Sequence, residues 1–375
     1  MASLTDEQTL LQDSAQGWVQ SNSPVEAFRR IRDQGSELGF EPEAWKQMVE
    51  LGWASVVIPE EFGGVDLGYL SLGLILEQLG RTLTASPLIA SAAAGVAAIS
   101  LGGSQQHKEE LLPAIAGGST IVTLAVDEGA RHKPTNVTLS ATAGGDSYKL
   151  SGSKSMVIEG MAADLLIVSA RVSGADDDPD GIELFLVPTS SDGISRTRLS
   201  LIDGRGVTNI EFSDVQVPAS SRLEGGANLL EKVLDRTRAC VCAEMLGMCT
   251  QAFETTVEYL KTRVQFDHVI GSFQALQHRA AKMLTEIELS RSAVEAALSG
   301  IDADVDNVPE LVSIAKAKMG DTLHLVTNEM IQMHGGIGMT DEHDAGLYIK
   351  RARTTAALYG NQAFHRERYA RLMGY

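Results

Sequence analysis

Between residues 119 and 217 the chain reads as strand after strand with no helix between them, while both flanks read as helix. That order constrains the fold strongly. Parallel strands need long crossovers, usually helical, so strands joined by short turns imply an antiparallel sheet or barrel. Ile121-Val122-Thr123-Leu124-Ala125-Val126 is a β-type run. Residues 138–140 and 148–150 flank Gly144-Gly145 as the arms of a hairpin. Runs at 165–168, 182–187 and 207–217 follow. In the last, Ile210 and Phe212 alternate with Asn209, Glu211 and Ser213, so one face is buried.

The flanks carry helical spacing. Thr5-Asp6-Glu7-Gln8 has the form of a capping box, followed by Leu10, Leu11, Ala15, Trp18 and Val19. Pro59-Glu60-Glu61-Phe62-Gly63-Gly64 interrupts as a loop. Helical spacing resumes over 70–79 and 90–101. After Pro218, Leu230, Val233, Leu234, Val241, Met245, Met248 and Ala252 keep helical intervals, and further helices begin near Phe273, Val308 and Asp341. Four long helices in sequence predict an up-down bundle. The expected fold is mixed α and β: a helical domain at 1–118, a middle antiparallel β domain at 119–222 and a carboxy-terminal four-helix bundle at 223–375.

Charge narrows the partners. Lys and Arg number 31 against 49 Asp and Glu, a net charge of −18. Such a surface repels nucleic acid and anionic membranes. The longest small-apolar stretch, 87–100, is shorter than the ~20 residues of a membrane span. Residues 1–20 lack a basic segment followed by an apolar core. A cytoplasmic protein is expected. Cys240, Cys242 and Cys249 fall within one helix and read as core rather than as disulfide or zinc residues. The eight His are scattered without metal-ligand spacing, so no metal site is expected. Asp176-Asp177-Asp178-Pro179-Asp180-Gly181 opens like a calcium loop, but Val187 stands where its closing Glu belongs, and a hairpin tip is expected. Gly335-Gly336-Ile337-Gly338 follows a helix, not a strand, and reads as a helix end.

The textures and several motifs together resemble the acyl-CoA dehydrogenase family over nearly the whole chain. The motifs are Ile58-Pro59-Glu60-Glu61-Phe62-Gly63-Gly64, then Leu76-Glu77-Gln78-Leu79-Gly80-Arg81, then residues 146–154 (DSYKLSGSK). Arg263-Val264-Gln265-Phe266 with Gly271-Ser272-Phe273-Gln274 is similar to the family's flavin-binding segment, and Gln332-Met333-His334-Gly335-Gly336 to its second one. The resemblance implies an FAD enzyme that oxidises acyl-CoA to enoyl-CoA, with a carboxylate as base and an electron-transfer flavoprotein as redox partner. It implies cofactor contacts at Arg263, Phe266, Phe273, Gln274, Gln332, Met333, His334, Gly335 and Gly336, reaching into a neighbouring subunit's FAD. These residue types suit that task. Arg263 offers a permanent, forked cation to pyrophosphate. Phe266 suits an adenine face, the glutamines offer donors and acceptors, and the glycines let the backbone approach.

The departures from the family are one-sided. Where the family carries Tyr-Glu-Gly-Thr, this chain has Leu358-Tyr359-Gly360-Asn361, so Tyr359 stands at the base position. A phenol with a pKa near ~10 is a poor base at neutral pH. The alternative base position of the family falls on Thr237, with Asp235 and Glu244 as weaker nearby carboxylates. Thr-Glu-Pro-Gly-Ala-Gly-Ser-Asp is replaced by Asp127-Glu128-Gly129-Ala130-Arg131-His132-Lys133-Pro134. Trp-Ile-Thr becomes Met156-Val157-Ile158, and the usual Arg-Asp pair becomes Lys350-Arg351. The expected role is a subunit without its own base, completing the FAD site of a homologous, Glu-bearing partner. This resembles the α2β2 acyl-CoA dehydrogenases of actinobacteria, whose substrates include steroid side-chain thioesters. The alternatives are a self-sufficient flavoenzyme using Asp235 or Glu244, and a non-enzymatic acyl-CoA binder or scaffold.

Overall fold

Thr5 starts the first helix as its sequence requires: its Oγ1 accepts from Gln8 N at 3.2 Å while Gln8 Oε1 accepts from Thr5 N at 3.1 Å. The structure, a computed structural model, describes residues 4–375, so the first three residues of the amino-terminal stretch lie outside the described residues. Helices α1 (Asp6–Asn22), α2 (Val25–Gln34), α3 (Pro42–Glu50) and α4 (Gly68–Arg81) follow in order. The Ala-rich stretch begins as a π-helical turn, Leu88–Gly95, buried throughout, and continues into α5 (Val96–Gly102) and α6 (Gln105–Ala116).

The middle of the chain forms one sheet from β1 (Val122–Ala125), β2 (Ser140–Gly144), β3 (Ser147–Ile158), β4 (Leu165–Arg171), β5 (Ile182–Pro188), β6 (Ile194–Leu199), β7 (Val207–Pro218) and β8 (Arg222–Leu223). Its order is β6-β7-β3-β2-β4-β5-β8, with β1 against β4. Most pairs are antiparallel, as the short turns predict. β1 and β4 are parallel, from Val122↔Leu165 to Ala125↔Val168. The β2–β3 hairpin intervenes between them in the chain and returns β4 to the direction of β1. Leu139, Leu150, Val168, Phe185, Ile210 and Val215 are buried together in the β core. The alternation on β7 buries Ile210 and Phe212 and exposes Glu211 and Ser213. The acidic tip after β4 is a hairpin loop organised by an arginine. Arg171 donates to the carbonyls of Val137, Ser173, Asp176 and Asp178 at 2.6–3.1 Å. A side-chain cation thus ties these backbone carbonyls together.

The carboxy-terminal part comprises α7 (Gly226–Thr262), a small hairpin of β9 (Val264–Gln265) and β10 (His268–Val269), α8 (Gln274–Asp302), α9 (Val308–His334), α10 (Ala345–Ala357) and α11 (Gln362–Leu372). The expected fourth bundle helix is therefore split in two. Tyr359 at φ 54° and Gly360 at φ 107° break it. Buried Lys316 of α9 holds the break by donating to Ala356 O and Gly360 O, both at 2.9 Å. A cation on the carbonyls of a helix end is favourable for the helix dipole.

The chain divides into two compact units. One comprises Met1–Arg30, Gly73–Thr84 and Arg238–Tyr375; the other comprises Ile31–Leu72 and Ala85–Thr237. Within the first, α4 and α7 touch backbone to backbone: a Cβ on Gly247 would lie 1.8 Å from Glu77 O. No helix among the described residues is long and apolar enough to cross a membrane.

Cys240, Cys242 and Cys249 are all fully buried in α7. Burial pushes all three thiols up, Cys242 to about 12 from the ordinary 9.0. The unfolded chain therefore releases these protons first as pH rises past 9, which destabilises the fold by up to ~1.4 kcal/mol per pH unit and thiol. Buried Lys154 and Lys316, pushed down by burial to about 8, act oppositely up to the ordinary 10.5, because the unfolded lysines keep their protons longer. Two lysines raise stability between pH 8 and 9, and three thiols outweigh them above 9. Urea unfolding across pH 8–10.5 is expected to show a maximum near 9. A monotonic rise would contradict the burial of the thiols.

Candidate functional site

The last turn of α7 and the end of α9 meet through three rings. Tyr259, one turn before Arg263, has its ring centroid 4.4 Å from that of His334, and its hydroxyl donates to His334 O at 3.4 Å. The His343 ring centroid lies 4.3 Å from that of His334, tilted against it. His334 Nδ1 donates to Met330 O at 2.7 Å, and its Nε2 is buried without a partner. Burial holds the His334 imidazole below its ordinary value, against the bond to Met330 and aided by His343. A neutral ring donating through Nδ1 leaves Nε2 as an acceptor.

The arginine segment is tied to this junction by its backbone. Arg263 N donates to Tyr259 O, and Ile270 N donates to Arg263 O, each at 2.9 Å. These bonds fold β9 and β10 back so that Phe273 caps α8. A second tie links the start of α8 to the end of α9: Arg279 Nε donates to Glu329 Oε2 at 2.6 Å. Arg263, Phe266, Phe273 and Gln274 therefore lie on one connected framework with Gln332, Met333, His334, Gly335 and Gly336. Sequence reasoning missed Tyr259, Arg279, Glu329 and His343. Tyr259 lies four residues before Arg263, a helical neighbour that spacing could have shown.

This framework is open. Phe266 is 85% exposed at φ 53°, and Val264, Val269, Ile337 and Met339 are exposed with it. Exposed apolar clusters of this kind mark interaction surfaces. Among the described residues, the Arg263 guanidinium makes no hydrogen bond or ion pair. Gly335 at φ 63° closes α9, and no atom lies within 4 Å of where a Cβ on Gly335 or Gly336 would stand. Cation, aromatic face, amide groups and bare backbone leave room and donors for a dinucleotide.

At the strand ends of the β unit, the polar groups of Glu128 and Lys154 are instead satisfied within the fold. Lys154 of β3 is fully buried and donates to Glu128 Oε1 at 2.7 Å, Ser169 Oγ at 2.9 Å and Val126 O at 3.0 Å. Met156 is 42% exposed at φ 57°, and its amide donates to Asn209 Oδ1. Ile158 is buried, with its carbonyl accepting from Thr123 Oγ1 at 2.7 Å. The turn after it is fixed by Arg196, which donates to Gly160 O, Met161 O and Ala163 O. The side chains of Met156, Val157 and Ile158 carry no hydrogen-bond donor for a flavin ring.

The base candidates are all buried. Tyr359 lies in the break between α10 and α11, where its carbonyl accepts from Arg238 Nε at 3.1 Å and from His365 Nε2 at 3.2 Å. Thr237 Oγ1 donates to Val233 O. Asp235 is 2% exposed. Glu244 is ion-paired with fully buried Arg351 at 3.5 Å, and the Arg351 guanidinium stands 4.9 Å from the Phe28 ring. Among the described residues no group of three or more His, Cys, Asp or Glu could hold a metal ion.

Comparison with known proteins covers almost the whole chain. Residues 5–119, 124–215 and 224–374 match the models of the acyl-CoA dehydrogenase N-terminal, middle and C-terminal domains. Acyl-CoA dehydrogenase IpdE2 of Mycolicibacterium smegmatis is 30% identical over 95% of this chain and 96% of its own. Among solved structures, the Tcur3481–Tcur3483 steroid ACAD superposes with a TM-score of 0.89 at 28% identity, covering 98% of both chains. The ChsE4-ChsE5 complex from Mycobacterium tuberculosis gives 0.90 at 26% identity, covering 100% of this chain and 99% of that one.

Proposed function

The chain belongs to the acyl-CoA dehydrogenase family, FAD-dependent oxidoreductases acting on the CH–CH bond of acyl-CoA, and from that premise we propose that it is a heteromeric subunit lacking its own base. It completes the FAD site of a homologous partner that carries the catalytic Glu. The supporting observation is the contrast between its two halves. The Arg263 and Gly335–Gly336 framework is open, whereas Glu128 is engaged by Lys154, Ile158 is buried, and Tyr359 stands where the resemblance implies the base. The relatives named as a steroid ACAD and as a ChsE4-ChsE5 complex support a two-subunit assembly and a steroid thioester as substrate.

When bound, FAD would supply the hydride acceptor for oxidation of the acyl-CoA α,β-bond. This chain's part is to hold. Arg263 would place its fork on the cofactor's pyrophosphate, a charge-assisted bidentate contact. Phe266 and Phe273 would cover the adenosine end and exclude water. Gln274 and Gln332 would orient polar edges, and Gly335 and Gly336 would let the main chain come close. The buried ion pair of Glu244 with Arg351 supports a structural role for that carboxylate, since a general base must reach the proton it takes.

Purified alone, the chain is expected to carry little FAD and to show no dehydrogenation. Co-purified with its partner, it should show a flavin spectrum and turnover. Stoichiometric FAD together with turnover on the lone chain would overturn the reading.

A further inference from the structure

After α9 the chain folds back on its own start. His343, near the end of this turn, has its ring centroid 4.3 Å from that of His334, the last residue of α9. Between the two lie Gly335 and Gly336, then the exposed Ile337 and Met339. Arg29 of α2 fastens the return. It donates to Asp344 Oδ1 through Nε at 3.0 Å and Nη2 at 2.6 Å, and to Asp341 O through Nη1 at 2.7 Å. His343 fastens it again, because its Nδ1 accepts from Ala345 N at 3.1 Å where α10 begins.

Both rings can serve in this way only while neutral. His334 is 3% exposed and its Nδ1 donates to Met330 O, so a second proton would sit on buried Nε2, which has no partner. A second proton on His343 would sit on Nδ1 and turn the acceptor of the Ala345 amide into a competing donor. It would also put a cation at the amino terminus of α10, the unfavourable end of that helix's dipole. The groups facing the pair are Tyr259 from α7, Arg29 from α2 with its acidic partners Asp341 and Asp344, and each ring itself. Burial holds both imidazoles below their ordinary 6.5. For His334 the Met330 bond opposes this and His343 aids it; for His343, Asp344 opposes it and Arg29 aids it.

We infer that His343 is a positioning residue: as a neutral ring it holds the turn closed on His334 and so fixes where the Gly335–Gly336 backbone stands. The inference rests on the reading that this backbone approaches the partner's FAD. It adds a residue that acts through His334 and the Ala345 amide rather than on the cofactor. With the turn open, each ring titrates near 6.5. The closed turn is therefore favoured above that pH and loses stability below it. The opening constant should rise about tenfold per ring between pH 7.5 and 5.5.

The test is hydrogen–deuterium exchange on the lone chain, wild type and His343→Asn, at both pH values, with rates corrected for the intrinsic pH dependence of exchange. The amides to read are those of Thr340, Leu347 and Tyr348, which donate to Ile337 O and Asp344 O in the closed turn. Asn can accept from the amide two residues on, as His343 does, but takes no proton. Exchange in wild type is expected to rise about tenfold more between the two pH values than exchange in the variant. An equal rise in both, or none in wild type, overturns the inference, since packing alone would not distinguish the two side chains by pH. A second arm titrates FAD into stripped complex at pH 7.5. His343→Ala, which lacks both the ring and the acceptor, should bind FAD about tenfold more weakly, and His343→Asn should recover part of that. If His343→Ala binds FAD as wild type does while Arg263→Ala loses it, the inference falls and the subunit reading stands. If both variants bind FAD as wild type does, the subunit reading falls with it.

Discussion

Arg263→Ala in the assembled complex is expected to lower FAD affinity about a hundredfold, leaving most purified complex without flavin. The magnitude follows from removing a charge-assisted, bidentate contact, ~2–3 kcal/mol, where ~1.4 kcal/mol is a factor of ten. Arg263 is exposed and its guanidinium has no partner among the described residues, so the fold has nothing to lose. The melting temperature of the lone variant should match wild type, which separates a cofactor role from a structural one. Arg263→Lys keeps the charge without the fork and should recover part of the affinity. The measurement is the ratio of flavin to protein absorbance, with FAD titrated back into stripped complex. Wild-type FAD content in Arg263→Ala would remove this residue from the cofactor site.

Glu128→Gln should produce the largest loss of stability, about 3 kcal/mol by urea unfolding at pH 7. Burial depresses Lys154 to about 8 even with Glu128 beside it. Burial also pushes Glu128 up, but the Lys154 charge and three kinds of hydrogen bond outweigh it and hold the carboxyl below its ordinary value. An amide removes the nearest countercharge and leaves the ammonium with neutral acceptors, Val126 O, Ser169 Oγ and the amide oxygen, and with Asp127 as the remaining charge acting on it. The lysine then releases its proton more readily, so its folded pKa moves further down. The deficit should therefore shrink as pH rises towards about 8 and level off above it, where Lys154 is neutral in wild type and variant alike. Lys154→Met in the Glu128→Gln background should restore part of the loss, because an apolar side chain needs no partner there. A single variant within about 0.5 kcal/mol of wild type at pH 7 would show that the pair contributes little.

The sequence carried the helical and β textures because they depend on local periodicity. The alternation of Ile210 and Phe212 with Glu211 and Ser213 became a half-buried strand, and Thr5 with Gln8 became a capping box. The parallel pairing of β1 with β4 was not legible, since it depends on where the intervening hairpin lies. The split between α10 and α11 is set by Lys316, some forty residues away along the chain, and only Gly360 hinted at it. At the candidate site, motif spacing named Arg263 and Gln332–Gly336. The rings and ion pair that join these segments, Tyr259, His343 and Arg279 with Glu329, arise from tertiary contact. The acidic run 176–180 was legible as a turn, but not the arginine that fills it.

The bare rim around Phe266 and Met339 has a consequence for the cell. On the two-subunit proposal, a copy released without its mate would carry a greasy, solvent-facing hairpin with nothing to cover it. Such surfaces invite self-association and capture by chaperones and proteases. The abundance of this polypeptide is therefore expected to follow that of its companion, with any surplus cleared rather than stored. Matched synthesis of the two chains would then be part of how the enzyme is kept in supply.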